Sequence, residues 1–535
     1  MSVGNRISEF VDGDGQDVPP YPVAILAAFV ALLVVSPVVW LVVRAVSAPP
    51  AAFALLTAPS TLQVLINSIL VVVAVSVFSI VIGVPLAVLT VQTDLPFNRF
   101  WTVTAALPLV IPEYIGAFAF TSAFGPHGDL ADLLAPIGIH SIPEIYGLQG
   151  TVLVFSLFTY PYVFLTTRAG LLSVDGTLIE SARTLNHSKI GALRSVVLPQ
   201  VLPSISVGVL LVVLDSLADF GTPAIMHYNT FMRVIYVQYN NPSAPGFTAL
   251  LSLQLLAVVA VVLALESRVS GSANTGIGGS ASGRPGQLRL GRWRWVAQLY
   301  PAVVALFALG VPLAILVQWN QRTGNTYGGF TFHWTYALNS VEVATFAAIV
   351  AVVAAIPTAY YSARSSSAVA TILDRLSYVG YAVPGLVLGI ALVYVGVSFV
   401  PALYQTLPLL VFAYVVRFLP QAVGAVRSSF LQVDPKLTEA ARTLEQSPLS
   451  VFRRVTLPLV APGLAAGAAL VFLTTMKELQ ATILLQPTDF RTLVTYIWMV
   501  QENGYYSEAA VPALVLVGVS ALSMLVILAR ERYDV

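Results

Sequence analysis

Cysteine is absent from the 535-residue chain, which excludes disulfides, thiolate metal sites and cysteine nucleophiles together and leaves the redox compartment open. Charge is scarce as well. Asp, Glu, Lys and Arg supply 10% of residues, where soluble domains carry about 25%. The net charge is +1, with no basic stripe to follow a nucleic acid, so no nucleic-acid partner is expected. The five histidines (His127, His140, His187, His227, His333) are scattered and form no H-x-x-x-H pair. A membrane-embedded enzyme would want clustered His, Asp or Glu, so no metal site, cofactor or catalytic residue is expected. No segment matches G-x-x-x-x-G-K-[ST], so the chain does not cradle ATP phosphates by that route. No cleavable signal peptide is expected either: the N-terminal segment carries Glu9, Asp12, Asp14 and Asp17, unlike the basic start of such a peptide, so the first helix should stay in the membrane.

What the chain has is apolar length. Hydrophobic residues make up 57% of it, and the mean hydropathy is +0.84. They fall into a dozen runs long enough, at about 18 residues or more, to cross hydrocarbon as helices. The runs cover 22–46, 63–91, 101–124, 149–171, 198–220 and 247–266, then 296–318, 338–362, 374–399, 403–428, 457–480 and 508–529. The fold class is therefore an all-α polytopic membrane protein of about twelve spans. Residues 267–295 are rich in Gly, Ser and Arg and read as a flexible linker. The expected organisation is a cytoplasmic N-terminal segment (1–21), a first transmembrane domain (22–266), a cytoplasmic linker (267–295) and a second transmembrane domain (296–535). Placing both termini inside leaves only Arg44, Arg233, Arg322 and Arg491 outside and Arg417 and Lys477 within spans, out of 26 basic residues. The positive-inside rule favours that orientation.

The two halves are repeats. At an offset of 272, Asn67-Ser68 matches Asn339-Ser340, Pro85 matches Pro357 and Pro112 matches Pro384. At an offset of 259, Pro161 pairs with Pro420, Arg168 with Arg427, Glu180 with Glu439, and Leu198-Pro199 with Leu457-Pro458. The change of offset places 13 extra residues in the first copy, most simply in an external loop near 125–148. Each copy has six spans, an even number, so both copies face the same way and relate about an axis along the membrane normal.

The densest agreement is in the cytoplasmic loop between the fourth and fifth spans of each copy, VDGTLIESARTLNHSKIGALRSVVLP at 174–199 and VDPKLTEAARTLEQSPLSVFRRVTLP at 433–458. Asp434 before Pro435, and Ser447 before Pro448, are helix-start signals. Beyond the second, Leu449, Phe452 and Val455 form one apolar face, as do Ile190, Leu193 and Val196 in the first copy. The loops resemble the EAA loop of binding-protein-dependent ABC importer permeases. The matching residues are Glu180-Ser181-Ala182 with Leu198-Pro199, and Glu439-Ala440-Ala441 with Leu457-Pro458. The EAA glycine is replaced by Asn186 and by Glu445, and Glu tolerates a left-handed turn poorly. Arg183 and Arg442 complete the two elements. The resemblance implies two tandem six-helix permease repeats of the type I importer fold. It also implies a docking helix for each of two ATPase subunits, an external substrate-binding protein as donor, and a multi-pass place in the cell membrane. ATP hydrolysis would then belong to a separate chain.

Charges inside spans are costly and are functional candidates by default. Asp215, Asp219, Arg417, Lys477 and Glu478, together with Glu113, are the candidates for a pathway or gate, and Asp219 and Glu478 are equivalent at the 259 offset. Phe231 and Arg233 in one copy, and Phe490 and Arg491 in the other, are candidates for contact with the external binding protein. Residues 216–222 (SLADFGT) and 476–487 (MKELQATILLQP) look like segments of ferric-iron permeases. Related fused permeases for thiamine or phosphonate, and a secondary transporter of six plus six helices, are the alternatives. The secondary transporter has no need of two matched docking loops.

Overall fold

The computed structural model describes residues 21–124, 144–174, 191, 195, 197–240, 242, 246–271, 289–322, 330–365, 367–434, 436–437, 441 and 447–530. Ten helices among them are long and apolar enough to cross a membrane, and two sharply bent helix pairs bring the total to twelve. In lipid, helices satisfy every backbone group within the segment, so this architecture suits the composition.

In the first repeat the helices are α1 (Tyr21–Val46), α2 (Pro59–Gln92), α3 (Asn98–Ala106), α4 (Glu113–Phe124), α5 (Leu148–Ser173), α6 (Leu198–Ala218), α7 (Gly221–Ile225), α8 (Phe231–Asn240) and α9 (Phe247–Gly271). In the second they are α10 (Trp293–Gln321), α11 (Trp334–Arg364), α12 (Ala368–Ala382), α13 (Gly385–Ser398), α14 (Leu407–Gln432), α15 (Leu457–Met476), α16 (Gln480–Leu485), α17 (Leu493–Glu502) and α18 (Ala510–Arg530). The offset of 259 carries both ends of α5 onto both ends of α14, and the offset of 272 carries the end of α2 onto the end of α11. The duplication is one of structure as well as sequence. The 13-residue length difference near 125–148 falls mostly outside the described residues.

The third and ninth spans are not straight helices, as their apolar runs suggested. The chain bends by 93° at Pro112 and by 99° at Pro384. A proline ring pushes the preceding residue out of the helical region. Ile111 accordingly sits at φ −85°, ψ 120° and Val383 at φ −89°, ψ 117°. The fifth and eleventh spans also stop early, at Ala218 and Met476, so Asp219, Lys477 and Glu478 lie beyond helix ends instead of inside continuous spans.

The chain forms two compact units that do not follow the repeat boundaries. One unit contains residues 48–331 and 500–517. Its most enclosed spanning helix is α5, with 72% of its apolar window buried against 28% for α2. The α2 and α5 backbones approach so closely at Gly83 that an added Cβ would lie 2.9 Å from the Phe164 amide nitrogen and 3.0 Å from the Tyr160 carbonyl oxygen. Small residues allow such approaches between membrane helices. The first span of the second repeat, α10, belongs to this unit: Tyr300 donates to the Val81 carbonyl at 2.9 Å, and the Trp319 ring lies 4.7 Å from Phe118.

The other unit contains residues 1–47, 332–499 and 518–535. Here α14 is the enclosed helix, with 67% of its window buried. The first span of the first repeat, α1, packs in this unit. Ala27 and Ala31 join Tyr361, Ala370 and Leu373 in a buried cluster, and the Arg44 guanidinium sits 5.3 Å from the Tyr394 ring centroid.

Candidate functional site

Each repeat carries a buried carboxylate at the break after its fifth span. In the second repeat, α15 ends at Met476, Lys477 caps it half-buried, and Glu478 follows with 6% of its surface exposed. One oxygen of Glu478 accepts the Ala481 N–H at 3.0 Å, satisfying a donor that the start of α16 leaves open. The other oxygen lies 3.5 Å from Nε of Arg417 on α14. Arg417 also donates to Gln480 Oε1 at 3.4 Å and lies 5.6 Å from the Phe418 ring centroid. The pair has room because residue 385 is glycine: a Cβ there would overlap both the guanidinium and the carboxylate. The break is pinned further by the Thr482 hydroxyl, which bonds to the Glu478 carbonyl and to the Tyr414 hydroxyl, the latter at 2.6 Å.

In the first repeat, Asp219 follows α6 and is 8% exposed. Its two oxygens accept the N–H groups of Gly221 at 3.1 Å and Thr222 at 2.9 Å, capping α7. Asp215 lies one turn earlier and is half-buried, and its carbonyl accepts the Asp219 N–H at 3.1 Å. The surroundings differ between the copies. At the 259 offset Phe158 stands where Arg417 stands, and at the 272 offset Glu113 stands where Gly385 stands. Glu113 is near enough to Asp219 for their charges to interact. Equivalent carboxylates thus cap equivalent short helices, one with a guanidinium beside it and one with a second carboxyl.

The stretch after each break is also duplicated, in a register that the 259 offset misses. His227 and Asp489 both turn the chain with positive φ, 55° and 65°. The Phe231 N–H then donates to Ser68 Oγ at 2.9 Å, and the Leu493 N–H donates to Ser340 Oγ at 2.8 Å. Beside these bonds, Asn67 donates to the Asn229 carbonyl at 3.1 Å and Asn339 to the Arg491 carbonyl at 2.9 Å. The structural partner of Phe231 is therefore Leu493, not Phe490, and that of Asn229 is Arg491. Three additional residues lie in the second copy between its carboxylate and this point. Phe231 is 1% exposed, so its ring belongs to the packed interior, leaving Arg233, Phe490 and Arg491 as the outer members of that candidate set. Arg233 donates to the Asn229 side chain at 2.7 Å. The sequence signal for these contacts was the Asn-Ser identity in the midst of two apolar helices.

In the two EAA-like loops, Glu180, Ser181, Ala182, Arg183 and Asn186, and Glu439, Ala440, Arg442 and Glu445, lie outside the described residues. Ala441 is half-buried, and Leu198-Pro199 and Leu457-Pro458 open α6 and α15. The entrance to the second loop is held by Arg364, which donates to the Val433 carbonyl at 3.0 Å, and by the Arg427–Asp374 pair at 3.4 Å. Among the described residues no group of three or more His, Cys, Asp or Glu is placed to hold a metal ion.

Comparison with known proteins gives the same duplication. The profile of the family described as binding-protein-dependent transport system inner membrane component matches residues 79–270 and again 351–532. The chain is 29% identical over 505 residues to the Fe(3+)-transport system permease protein FbpB 2 of Haemophilus influenzae, covering 93% of this chain and 96% of that one. It is 23% identical to the ferric transport system permease protein FbpB of Actinobacillus pleuropneumoniae, over 85% of this chain and 69% of that one. A probable molybdenum ABC transporter permease of Haloferax volcanii is 32% identical over 244 residues, which is 44% of this chain and 89% of that protein.

Proposed function

This chain belongs to the family of inner-membrane components of binding-protein-dependent transport systems, and from that premise we propose that it is the fused permease of a ferric-iron importer. That it is a multi-pass ABC importer permease follows from two family matches on a chain of ten to twelve apolar helices. The choice of iron is carried by one observation: the resemblance to a ferric permease runs through both repeats and nearly the whole of both chains. The molybdenum permease resembles less than half of this chain, as a single unfused repeat would.

In this reading an external binding protein delivers ferric iron at the outer face, both termini are cytoplasmic, and one chain serves two ATPase copies. Each ATPase docks on one EAA-type loop, around Glu180 and around Glu439. Selectivity rests largely with the binding protein, so the permease needs no iron-ligand cage. Its own residues provide helix breaks with fixed carboxylates, at Asp219 and Glu478, where a route between helices opens and closes.

The test is reconstitution in proteoliposomes with the ATPase and the binding protein, following radioactive ferric iron. Uptake that requires ATP and is not displaced by molybdate, thiamine or phosphonate supports the proposal. ATP-dependent uptake of molybdate instead would overturn the cargo, and uptake driven by an ion gradient alone would overturn the importer. For the docking loops, Glu180→Lys combined with Glu439→Lys should abolish co-purification of the ATPase; retained co-purification with wild-type uptake would refute their role.

A further inference from the structure

Two side-chain pairs that the transport reading leaves unused recur at equivalent places in the two units. Asn67-Ser68 lies on α2 and Asn339-Ser340 on α11, the second helix of each repeat. Each Ser hydroxyl donates to the carbonyl four residues earlier, Val64 at 2.9 Å and Tyr336 at 2.9 Å. A serine satisfied in this way gives its own helix nothing that alanine lacks. What it adds is a free acceptor lone pair, and in both units that lone pair takes the first N–H of the external helix, α8 or α17. Those N–H groups have no partner within their own helices. The neighbouring Asn then holds the carbonyl two residues before that N–H. Two bonds from adjacent side chains thus fix both the position and the direction of the chain entering each external helix.

The arrangement survives a change in length. Between the buried carboxylate and the clipped N–H there are three more residues in the second repeat than in the first, and α16 is six residues long where α7 is five. Both clips nevertheless form with the same atoms. The chain entering α8 comes from α6 and that entering α17 from α15, but each clip ties it to the second helix of the repeat. The external segment is therefore held by α2 or α11 independently of the helix that leads into it.

We propose that Asn67-Ser68 and Asn339-Ser340 are positioning residues that hold the external segments after the fifth and eleventh spans in the register met by the loaded binding protein. This rests on the importer reading. Delivery from a donor protein needs an outer surface that is set before contact, because ordering a loop on binding costs affinity.

The test uses the assembled transporter and the purified chain. In nanodiscs with the ATPase, Ser68→Ala with Ser340→Ala should raise the concentration of loaded binding protein giving half-maximal ATPase stimulation by about tenfold to a hundredfold, because two neutral hydrogen bonds are lost and each is worth about threefold to tenfold. That rise should exceed any change in maximal rate, and Ser68→Thr with Ser340→Thr, which keep the hydroxyls, should restore the wild-type value. Asn67→Leu with Asn339→Leu gives an independent pair should the serine variants fail to assemble. An unchanged half-saturating concentration in variants of a responsive wild type would overturn the inference, as would an equal loss in the threonine variants. A wild type that responds to no binding protein would instead count against the importer reading. Hydrogen exchange on the purified chain then still tests the clips: the Phe231 and Leu493 amides should exchange about threefold to tenfold faster in the alanine variants, and unchanged protection would overturn them.

Discussion

Removing the charge of Glu478 should cost far more than removing that of its counterpart Asp219, although both cap a short helix at the same place in their repeats. Glu478→Gln keeps an oxygen for the Ala481 N–H but leaves Arg417, 15% exposed, beside a neutral group. The attraction of unit charges at the observed 3.5 Å is about 5 kcal/mol at an effective dielectric constant of about 20, and desolvation offsets much of it. Stranding one member of a buried pair costs about 3–5 kcal/mol, so Glu478→Gln and Arg417→Met should each lose about 3 kcal/mol. The double variant leaves no uncompensated charge and should lose less than their sum by about 2–3 kcal/mol. In the first repeat Phe158 occupies the position of Arg417 and the charge near Asp219 is Glu113, so Asp219→Asn strands no cation: it weakens the cap, by about 1 kcal/mol at most, and relieves the repulsion from Glu113. The measurement is reversible unfolding in mixed micelles, titrated with SDS and followed by circular dichroism. Additive losses within about 0.5 kcal/mol, or equal costs for Asp219→Asn and Glu478→Gln, would refute the account of Glu478 as a paired charge.

Gly83→Val should destabilise the unit containing α2 and α5 by about 3 kcal/mol or more, because the atoms its Cβ would meet are backbone and cannot swing aside; the same titration reads it. Asp374→Asn should change stability by less than about 1 kcal/mol, since Arg427 and Asp374 are 39% and 19% exposed and their attraction is screened. Added salt should shrink even that difference. Ser367→Ala, which removes the hydroxyl accepting the Ala370 N–H at 3.2 Å at the start of α12, should cost about 1 kcal/mol, and Ser367→Asn should recover most of it.

The amount of this structure legible in the sequence depended on how far each feature was written in residue identity. The span count and the pairing of α5 with α14 were readable because apolar length and polar loop identities repeat at constant offset. Pro112 and Pro384 were visible as a matched pair, yet the apolar runs around them read as continuous spans. The bends near 90° follow from the constraint that proline places on Ile111 and Val383, a local effect that hydropathy averages away. The match beyond the two breaks failed for a different reason. Phe231 and Phe490 align at the offset that holds up to Glu478, but three residues enter afterwards, and the structurally equivalent residues, Phe231 and Leu493, share no identity beyond being apolar. What they share is a backbone N–H, and backbone groups leave no trace in sequence. Only the acceptors, Ser68 and Ser340, are written there, one position after a matching asparagine. The divergence of Phe158 from Arg417 is equally plain in the sequence, but its meaning required the geometry that brings Arg417 to Glu478 across Gly385. Duplication kept the helix break and its capping carboxylate in both copies, while the charge beside that carboxylate was free to differ. The two halves of this permease therefore present unlike electrostatic environments at equivalent breaks, and substitutions at matched positions should not have matched effects.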